Sequence, residues 1–350
     1  MQPATVTMTS PHPPFDPPNL EPRSAPGVQR SAPAATRAGG RRVPAIGLAC
    51  AALNTVISAT QPVITRYGAL NVDPLVFCAG SAAVAALCVC AMLAHSGELA
   101  TLADRVYLPR LFALSMAGTV ATSLTLIYGL AKIDAVAGVI LLESEPIYSL
   151  LLARVFLGER PSGRQLAATV TVLAGIGSVL GTGRAFTPLY AAALVFVTPL
   201  FWQTSHVLSL HAMPPLTPRC ITGARYVYAA IVLVAIALVV DHCALSALAQ
   251  PHVLGLVAAT GTFVFFLGSL TWYGAISRLS LAWTTAFVIP GVPILSFTFA
   301  MVFLGERPSV REIAGIAIAI VGVAALVLGA DASRRIHPEE AAEALHHPMA

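Results

Sequence analysis

Two carboxylates stand where carboxylates are rare. Glu143 and Glu145 lie about 8–10 residues into an apolar segment running from about 135 to 157. At 1.5 Å per residue that is roughly 12–15 Å from the start of the segment, near the middle of a bilayer-sized span. A charged side chain at that depth costs roughly 2.5–3.5 kcal/mol on insertion scales, so such groups mark ion or solute pathways. The chemistry they could do is proton exchange or the holding of a cationic group. Being two residues apart, they are separated by about 200° around a helix. One of them then faces a cavity and the other a neighbouring helix, and either order is open. Pro146 follows, and leaves the Leu142 carbonyl without its helical donor. The competing reading is a structural acid hydrogen-bonded to an adjacent helix.

Other polar groups fall inside apolar segments. Arg225 lies about eight residues into one of them. It either pairs with a glutamate across a cavity or extends its stem so that the guanidinium reaches the interface. Gln203 and His206 are one helical turn apart, with Trp202 beside them, and Asn54 and Gln61 are seven apart and so share a face. Asn54, Gln203 and His206 could hydrogen-bond a solute or serve as helix–helix contacts. Trp272, Tyr273 and Trp283 fit the aromatic belt at a membrane surface. The six cysteines show no CxxC and no zinc-type spacing with histidine, so neither a metal nor a cofactor is expected.

The elements that must position these groups follow from composition. The chain is 57% hydrophobic and 10% charged, with a mean hydropathy of +0.79. A soluble domain carries about 45–50% apolar and about 25% charged residues. The chain therefore reads as an all-α integral membrane protein whose first partner is the lipid bilayer. That excludes a soluble enzyme, a nucleic-acid-binding module and a disordered chain. No HExxH and no GxxxxGK[ST] occurs, so neither a zincin nor an ATP-driven pump is encoded, and no enzymatic activity is expected.

Stretches without Asp, Glu, Lys or Arg cover 43–65, 74–97, 111–131, 165–183, 185–218, 226–240, 242–277, 279–305 and 313–330. With the glutamate-bearing segment they give ten transmembrane helices, each able to supply the roughly 20 residues a bilayer needs. Their Ala, Gly and Ser content suits close packing in lipid. Residues 1–42, with nine prolines and no apolar run, read as a disordered cytoplasmic tail. Residues 331–350 read as a polar cytoplasmic tail. With both termini inside, fourteen basic residues fall on the cytoplasmic side and five on the outside, as the positive-inside tendency favours.

The strongest pattern is self-similarity. Residues 156–162 read FLGERPS, and residues 303–309 repeat it at an offset of 147. At that offset Pro146 meets Pro293, Ser149 meets Ser296 and Gly175 meets Gly322. The chain is thus two homologous halves of five helices, 43–183 and 187–329. Five is odd, so the second half enters the membrane inverted, the architecture of many secondary transporters. Within the repeated heptad, Gly158 is expected to end a helix in a left-handed cap. Ser162 with Gln165, and Ser309 with Glu312, should form capping boxes for the helices that follow. Glu159 and Glu306 are then residues of interfacial turns. At the offset, Glu143 meets Pro290 and Pro146 meets Pro293, with Gly291 between. Interruptions at matching places in two halves point to a transporter's central site, so the fourth and ninth helices are both expected to be broken there.

The ends of the two halves, EPIYSLLLARVFLGERPSGRQLAATVTVLAGIGSVL at 145–180 and VPILSFTFAMVFLGERPSVREIAGIAIAIVGVAALVL at 292–328, resemble the EamA-type drug/metabolite transporter superfamily. Arg225-Tyr226 resembles an Arg frequent early in the second helix of a half, whereas Gly80 and Ser81 occupy that region of the first half. The resemblance covers about 43–329. It implies ten helices, cytoplasmic termini, a central cavity between the halves and a bacterial inner (plasma) membrane. It also implies a secondary transporter, an exporter of a small organic metabolite or drug-like solute, acting as a monomer or homodimer. Arg225 is the only basic candidate for the cavity, so a cationic, zwitterionic or neutral solute is expected, with protons coupled through a midplane glutamate. A membrane scaffold or regulatory subunit, and a sugar-phosphate or nucleotide-sugar exchanger, are the alternatives.

Overall fold

The structure is a computed structural model that describes residues 45–336 apart from 158–161, 181–187, 213–215, 242, 277 and 280. The tail 1–42, the far C-terminal residues 337–350, and Gly158 and Glu159 lie outside the described residues.

The chain folds as successive helical rods. They are α1 (Ala45–Asn71), α2 (Pro74–Ser96), α3 (Leu108–Leu130), α4 (in two pieces, Ala135–Leu142 and Glu145–Leu157) and α5 (Gly163–Leu180). The second half supplies α6 (Leu189–Ala212), α7 (Pro218–Asp241), α8 (Pro251–Ala259, Thr260–Leu267 and Gly268–Ile276), α9 (Leu281–Leu304) and α10 (Val310–Ile336). Among the described residues seven rods are long and apolar enough to cross a membrane: α1, α2, α3, α4, α6, α7 and α8. The other three are the further apolar helices of the same two-repeat, all-α membrane architecture.

Local chemistry sets the boundaries. Asp73 accepts the backbone N–H groups of Leu75 and Val76 at 2.9 and 3.0 Å, and Pro74 opens α2. Gly305, at φ 65°, ends α9 in the left-handed conformation expected for this heptad. Both capping boxes form. Ser162 N–H donates to Gln165 Oε1 at 2.7 Å, and Ser309 N–H donates to Glu312 Oε2 at 2.6 Å. In each the backbone N–H of the third residue returns a bond to the serine hydroxyl, at 3.3 Å.

The repeat extends to irregularities. α3 widens into a π turn at Met116–Ala121, and α8 does so at Thr260–Leu267. The α2–α3 and α7–α8 connections each carry a short 3₁₀ turn, Leu99–Ala103 and Ala244–Ala249.

One expectation about the ninth helix is corrected. α4 is interrupted at Glu143–Ser144, but α9 runs through Pro290, Gly291 and Pro293 without a break. Proline's fixed φ is helical, so a rod can continue past it where neighbours hold the path. α1 supplies that support: Gly291 comes so close that an added Cβ would sit 2.7 Å from Thr55 Cγ2, and Ser296 Oγ donates to the Ala59 carbonyl at 2.9 Å.

Packing divides the rods into sets that cross the two repeats. α1 packs along α8 and α9, and α6 packs along α3 and α4. These two triplets are exchanged by the repeat, since α1, α8 and α9 correspond to α6, α3 and α4. The pairs α2–α7 and α5–α10 flank them. α5 and α10 meet backbone to backbone: a Cβ on Gly175 would lie 2.6 Å from the Gly315 carbonyl oxygen.

Candidate solute site

The break in α4 is built by its own sequence. Glu143 N–H bonds back to Ile140 and Ser144 N–H to Leu141, each at 3.2 Å, which tightens the last turn of the first piece. Pro146 has no N–H to offer the Leu142 carbonyl. The second piece starts when Ile147 N–H donates to the Ser144 carbonyl at 3.0 Å. α6 then fixes the break from the side. Buried Ser144 donates its hydroxyl to the Phe196 carbonyl at 3.1 Å, and Tyr148 meets the Phe196 ring edge-on at 5.7 Å.

The two glutamates differ in what they touch. Gln203 Nε2 donates to Glu145 Oε1 at 2.7 Å, tying the second piece of α4 to α6. The Glu143 carboxyl has no hydrogen-bond partner among the described residues. Glu145 is thus the one of the two whose carboxyl has a described partner on a neighbouring helix.

Arg225 takes neither of its expected roles. Its Nη2 donates to the Gly118 carbonyl at 2.7 Å, inside the π turn of α3. The Ser115 hydroxyl donates to the Arg225 carbonyl at 2.8 Å. The Gly118 carbonyl also accepts the Thr122 hydroxyl at 3.0 Å, so the guanidinium shares that acceptor within the π turn. Arg225 Nε and the neighbouring Thr119 hydroxyl are buried without a partner among the described residues. His206, one turn from Gln203, lies within electrostatic reach of Arg225.

Asn54 sits in its helix-contact role. It is buried, and its amide nitrogen donates to the Gly268 carbonyl at 2.9 Å and to Thr271 Oγ1 at 3.2 Å, clipping α1 to α8. Pro293 and Gly291 lie in the continuous part of α9; the side chain of Pro290 lies outside the described residues. The candidate site is therefore α4 and α6 around Glu143, Glu145, Gln203 and His206, with Arg225 anchored beside it. A separate groove of about 350 Å³ lies between α1 and α9, lined by Thr60, Val63, Ile64, Tyr67, Phe299, Phe303 and Leu304. Its apolar lining offers hydrocarbon contact and little else.

Glu306 was legible as a turn residue, but it does more. Its Oε1 accepts the Ala135 N–H at 2.8 Å and its Oε2 the Val136 N–H at 2.9 Å. These are two of the free donors at the N-terminus of α4, and a carboxylate there also meets the positive end of the helix dipole. Burial pushes the Glu306 carboxyl above the usual carboxylate range, while the two N–H groups and Arg66 pull against that. Arg66 bonds to the Leu130 carbonyl and stands 3.9 Å from the Asp134 carboxylate.

Comparison with known proteins decides the class. The family described as EamA-like transporter family matches residues 45–181 and again 189–328. The chain belongs to the EamA-like transporter family. A protein of Streptantibioticus cattleyicolor named probable terminal-alkyne amino-acid exporter is 28% identical over 222 residues, 62% of this chain and 72% of that protein. An uncharacterized transporter of Archaeoglobus fulgidus is 22% identical over 216 residues, 62% of this chain and 76% of its own. A crystal structure 16% identical in sequence shares the fold at a TM-score of 0.59, covering 83% of this chain and 98% of the other. This EamA protein is thus a multi-pass membrane transporter, and its two family matches fall on the two inverted halves.

Proposed function

We propose that this EamA protein is a secondary exporter of small organic solutes bearing an amine, amino acids among them, with a proton exchanged at Glu143. The observation that carries the reading is the division of labour at the α4 break. Glu145 is held by Gln203 at 2.7 Å, whereas the Glu143 carboxyl has no hydrogen-bond partner among the described residues and is free for a proton or an ammonium group. Carboxyls at membrane depth serve such relays in pumps and transporters. Arg225, with its Nε unused, supplies a positive partner for a carboxylate, which favours a zwitterion over a sugar phosphate, whose charge calls for several basic groups. The Streptantibioticus relative, named as a probable amino-acid exporter, supports the same cargo class.

The orientation that goes with this reading has both termini in the cytoplasm of a bacterial cell, in its inner membrane. The polypeptide already contains both halves of the pseudo-symmetric pair, so a monomer suffices for the path.

The test is counterflow and pH-jump flux of radiolabelled amino acids and amines in proteoliposomes. Wild type should accumulate solute against a proton gradient. Glu143→Gln should keep solute counterflow but lose the response to the gradient. Glu145→Gln, whose amide oxygen can still accept from Gln203, should keep both. Equal gradient-driven flux in wild type and Glu143→Gln, at equal insertion, would remove the proton role.

A further inference from the structure

We propose that Arg66, Asp134 and Glu306 form a latch that closes the outer end of the transport path, and that this latch comes apart when the path opens outward. The inference rests on the transporter reading and on the orientation given with it.

The argument starts from the two helix triplets. Among the described residues, side-chain hydrogen bonds deep in the protein stay within a triplet or run from a triplet to the flanking pair α2–α7, as at Arg225 and Tyr226. Asn54 to Gly268 and Thr271, and Ser296 to Ala59, join α1, α8 and α9. Gln203 to Glu145, Ser144 to Phe196, and Thr125 to Thr198 join α3, α4 and α6. Among the described residues, the polar contacts between the triplets are Arg66 to Leu130 and Asp134, and Glu306 to Ala135 and Val136. All of them lie at one end, where α1 and α9 finish and α4 begins. Packing allows this: the first piece of α4, before the break, lies against α1 and α9 of the other triplet as well as against α6, whereas the second piece lies against α6.

A transporter built of inverted repeats works by rocking one rigid set of helices against the other around a fixed site. Contacts within a set persist through that motion, and contacts between sets at one end must break. Here those contacts are charge-assisted: a carboxylate spans two helix-terminal N–H groups and a guanidinium reaches a carbonyl and a carboxylate. They can also reform in water once parted, which an apolar seam at the membrane surface would not do cleanly.

The repeat makes the latch unequal between the two ends. At the offset of 147, Glu306 has a counterpart in Glu159, but Asp134 has Leu281. Residues 200–218, the end of α6 and the link after it, contain no Arg or Lys to stand for Arg66. The pair of Arg66 and Asp134 is thus not copied at the matching positions of the sequence, and the outer-closed form that it holds is the one an exporter loads from the cytoplasm.

Spin labels on the two triplets test this directly. The full-length protein, with native cysteines replaced by serine, carries labels at Leu70 and Tyr128, which are 57% and 43% exposed near the outer ends of α1 and α3. Pulsed dipolar spectroscopy in liposomes then reads their separation. Wild type should show one dominant short distance. Arg66→Gln and Glu306→Gln should each enlarge a longer-distance population roughly tenfold, the change expected for losing a bond to a charged group. The exchange Arg66→Asp with Asp134→Arg should return the distribution toward wild type. An unchanged distribution in both single variants, properly inserted, overturns the latch. So does a fall in thermal stability with no longer-distance population, because the cluster would then be a mere fastening. If the longer population appears but no amino acid or amine is moved, the latch stands and the cargo proposal falls.

Discussion

Adding one methyl group at Gly118 should wedge α3 away from α6. Gly118 lies in the π turn of α3, and a Cβ built there would sit 2.1 Å from Ser205 Oγ and 2.6 Å from Ser205 Cβ. Non-bonded carbons rest about 3.5–4.0 Å apart, so the overlap is about 1 Å. Rotating the serine relieves the oxygen contact but leaves the Cβ contact, which is fixed by the α6 backbone. Ser205 is buried, so α3 and α6 must part. Overpacking of this kind costs about 1–3 kcal/mol. The same shift displaces the carbonyl that anchors Arg225 at 2.7 Å, so transport should fall along with stability. Gly255 is the control, because nothing lies within 4 Å of a Cβ there and alanine in a helix gains up to about 1 kcal/mol over glycine. Combining Gly118→Ala with Ser205→Gly removes the obstructing Cβ. A double-mutant cycle of unfolding in mixed micelles should then show a favourable coupling of about 1–2 kcal/mol. Should Gly118→Ala prove no more damaging than Gly255→Ala, the close approach of α3 and α6 is wrong, and with it the placement of Arg225.

Three further outcomes follow from the same contacts. Gln203→Leu removes the described partner of Glu145, and since a bond to a charged group contributes about 1.5–3 kcal/mol, unfolding measurements should register a loss that Glu145→Leu in the same background largely cancels. Asn54→Leu should cost roughly 0.6–2 kcal/mol by unclipping α1 from α8 while leaving the KM for solute unchanged; a changed KM with unchanged stability would assign Asn54 to the solute instead. Glu306 is raised above the ordinary carboxylate range by burial, with Asp134 adding to the rise and Arg66 and the two N–H groups opposing it. It therefore gains its proton at a higher pH than a solvated glutamate does. Once the latch parts, the carboxyl returns to water and its ordinary range, so the latched form binds the proton better; acidifying the outer solution through that window should shrink the longer-distance population in wild type, while Glu306→Gln should lose this response.

Much of the architecture is readable in the chain because it is written in local or periodic terms. Long runs without charge mark the rods, the duplicated FLGERPS marks the two halves, and Ser-x-x-Gln and Ser-x-x-Glu announce caps that do form at Ser162 and Ser309. The pair at Glu143 and Glu145 is conspicuous for the same reason, as charge against an apolar background. What was not legible depends on which helices meet. Glu306 finds Ala135 and Val136 from 171 and 170 residues away, and no spacing in the sequence encodes that. Its presence in a repeated heptad was the available signal. Arg225 finds a carbonyl within the π turn of α3, which composition does not announce. The continuity of α9 past two prolines depends on α1 lying close enough to touch Gly291.

The repeat copies the frame and not the chemistry. Caps, π turns and 3₁₀ connections recur in both halves, but the carboxylates at the α4 break face Pro290 and Val292 in the other copy, and Arg225 faces the region of Gly80 and Ser81. Two triplets related by the repeat can rock against each other whatever their side chains. Where the solute sits, and which end is held shut, must come from what differs between them. The polar groups of the site lie in the triplet of α3, α4 and α6, drawn from both halves of the chain: Glu143 and Glu145 from the first, Gln203 and His206 from the second. The halves that are related in sequence are therefore not the bodies that would move. Because each triplet takes helices from both halves, neither could form from one half alone, and the two must fold together before there is a site between them.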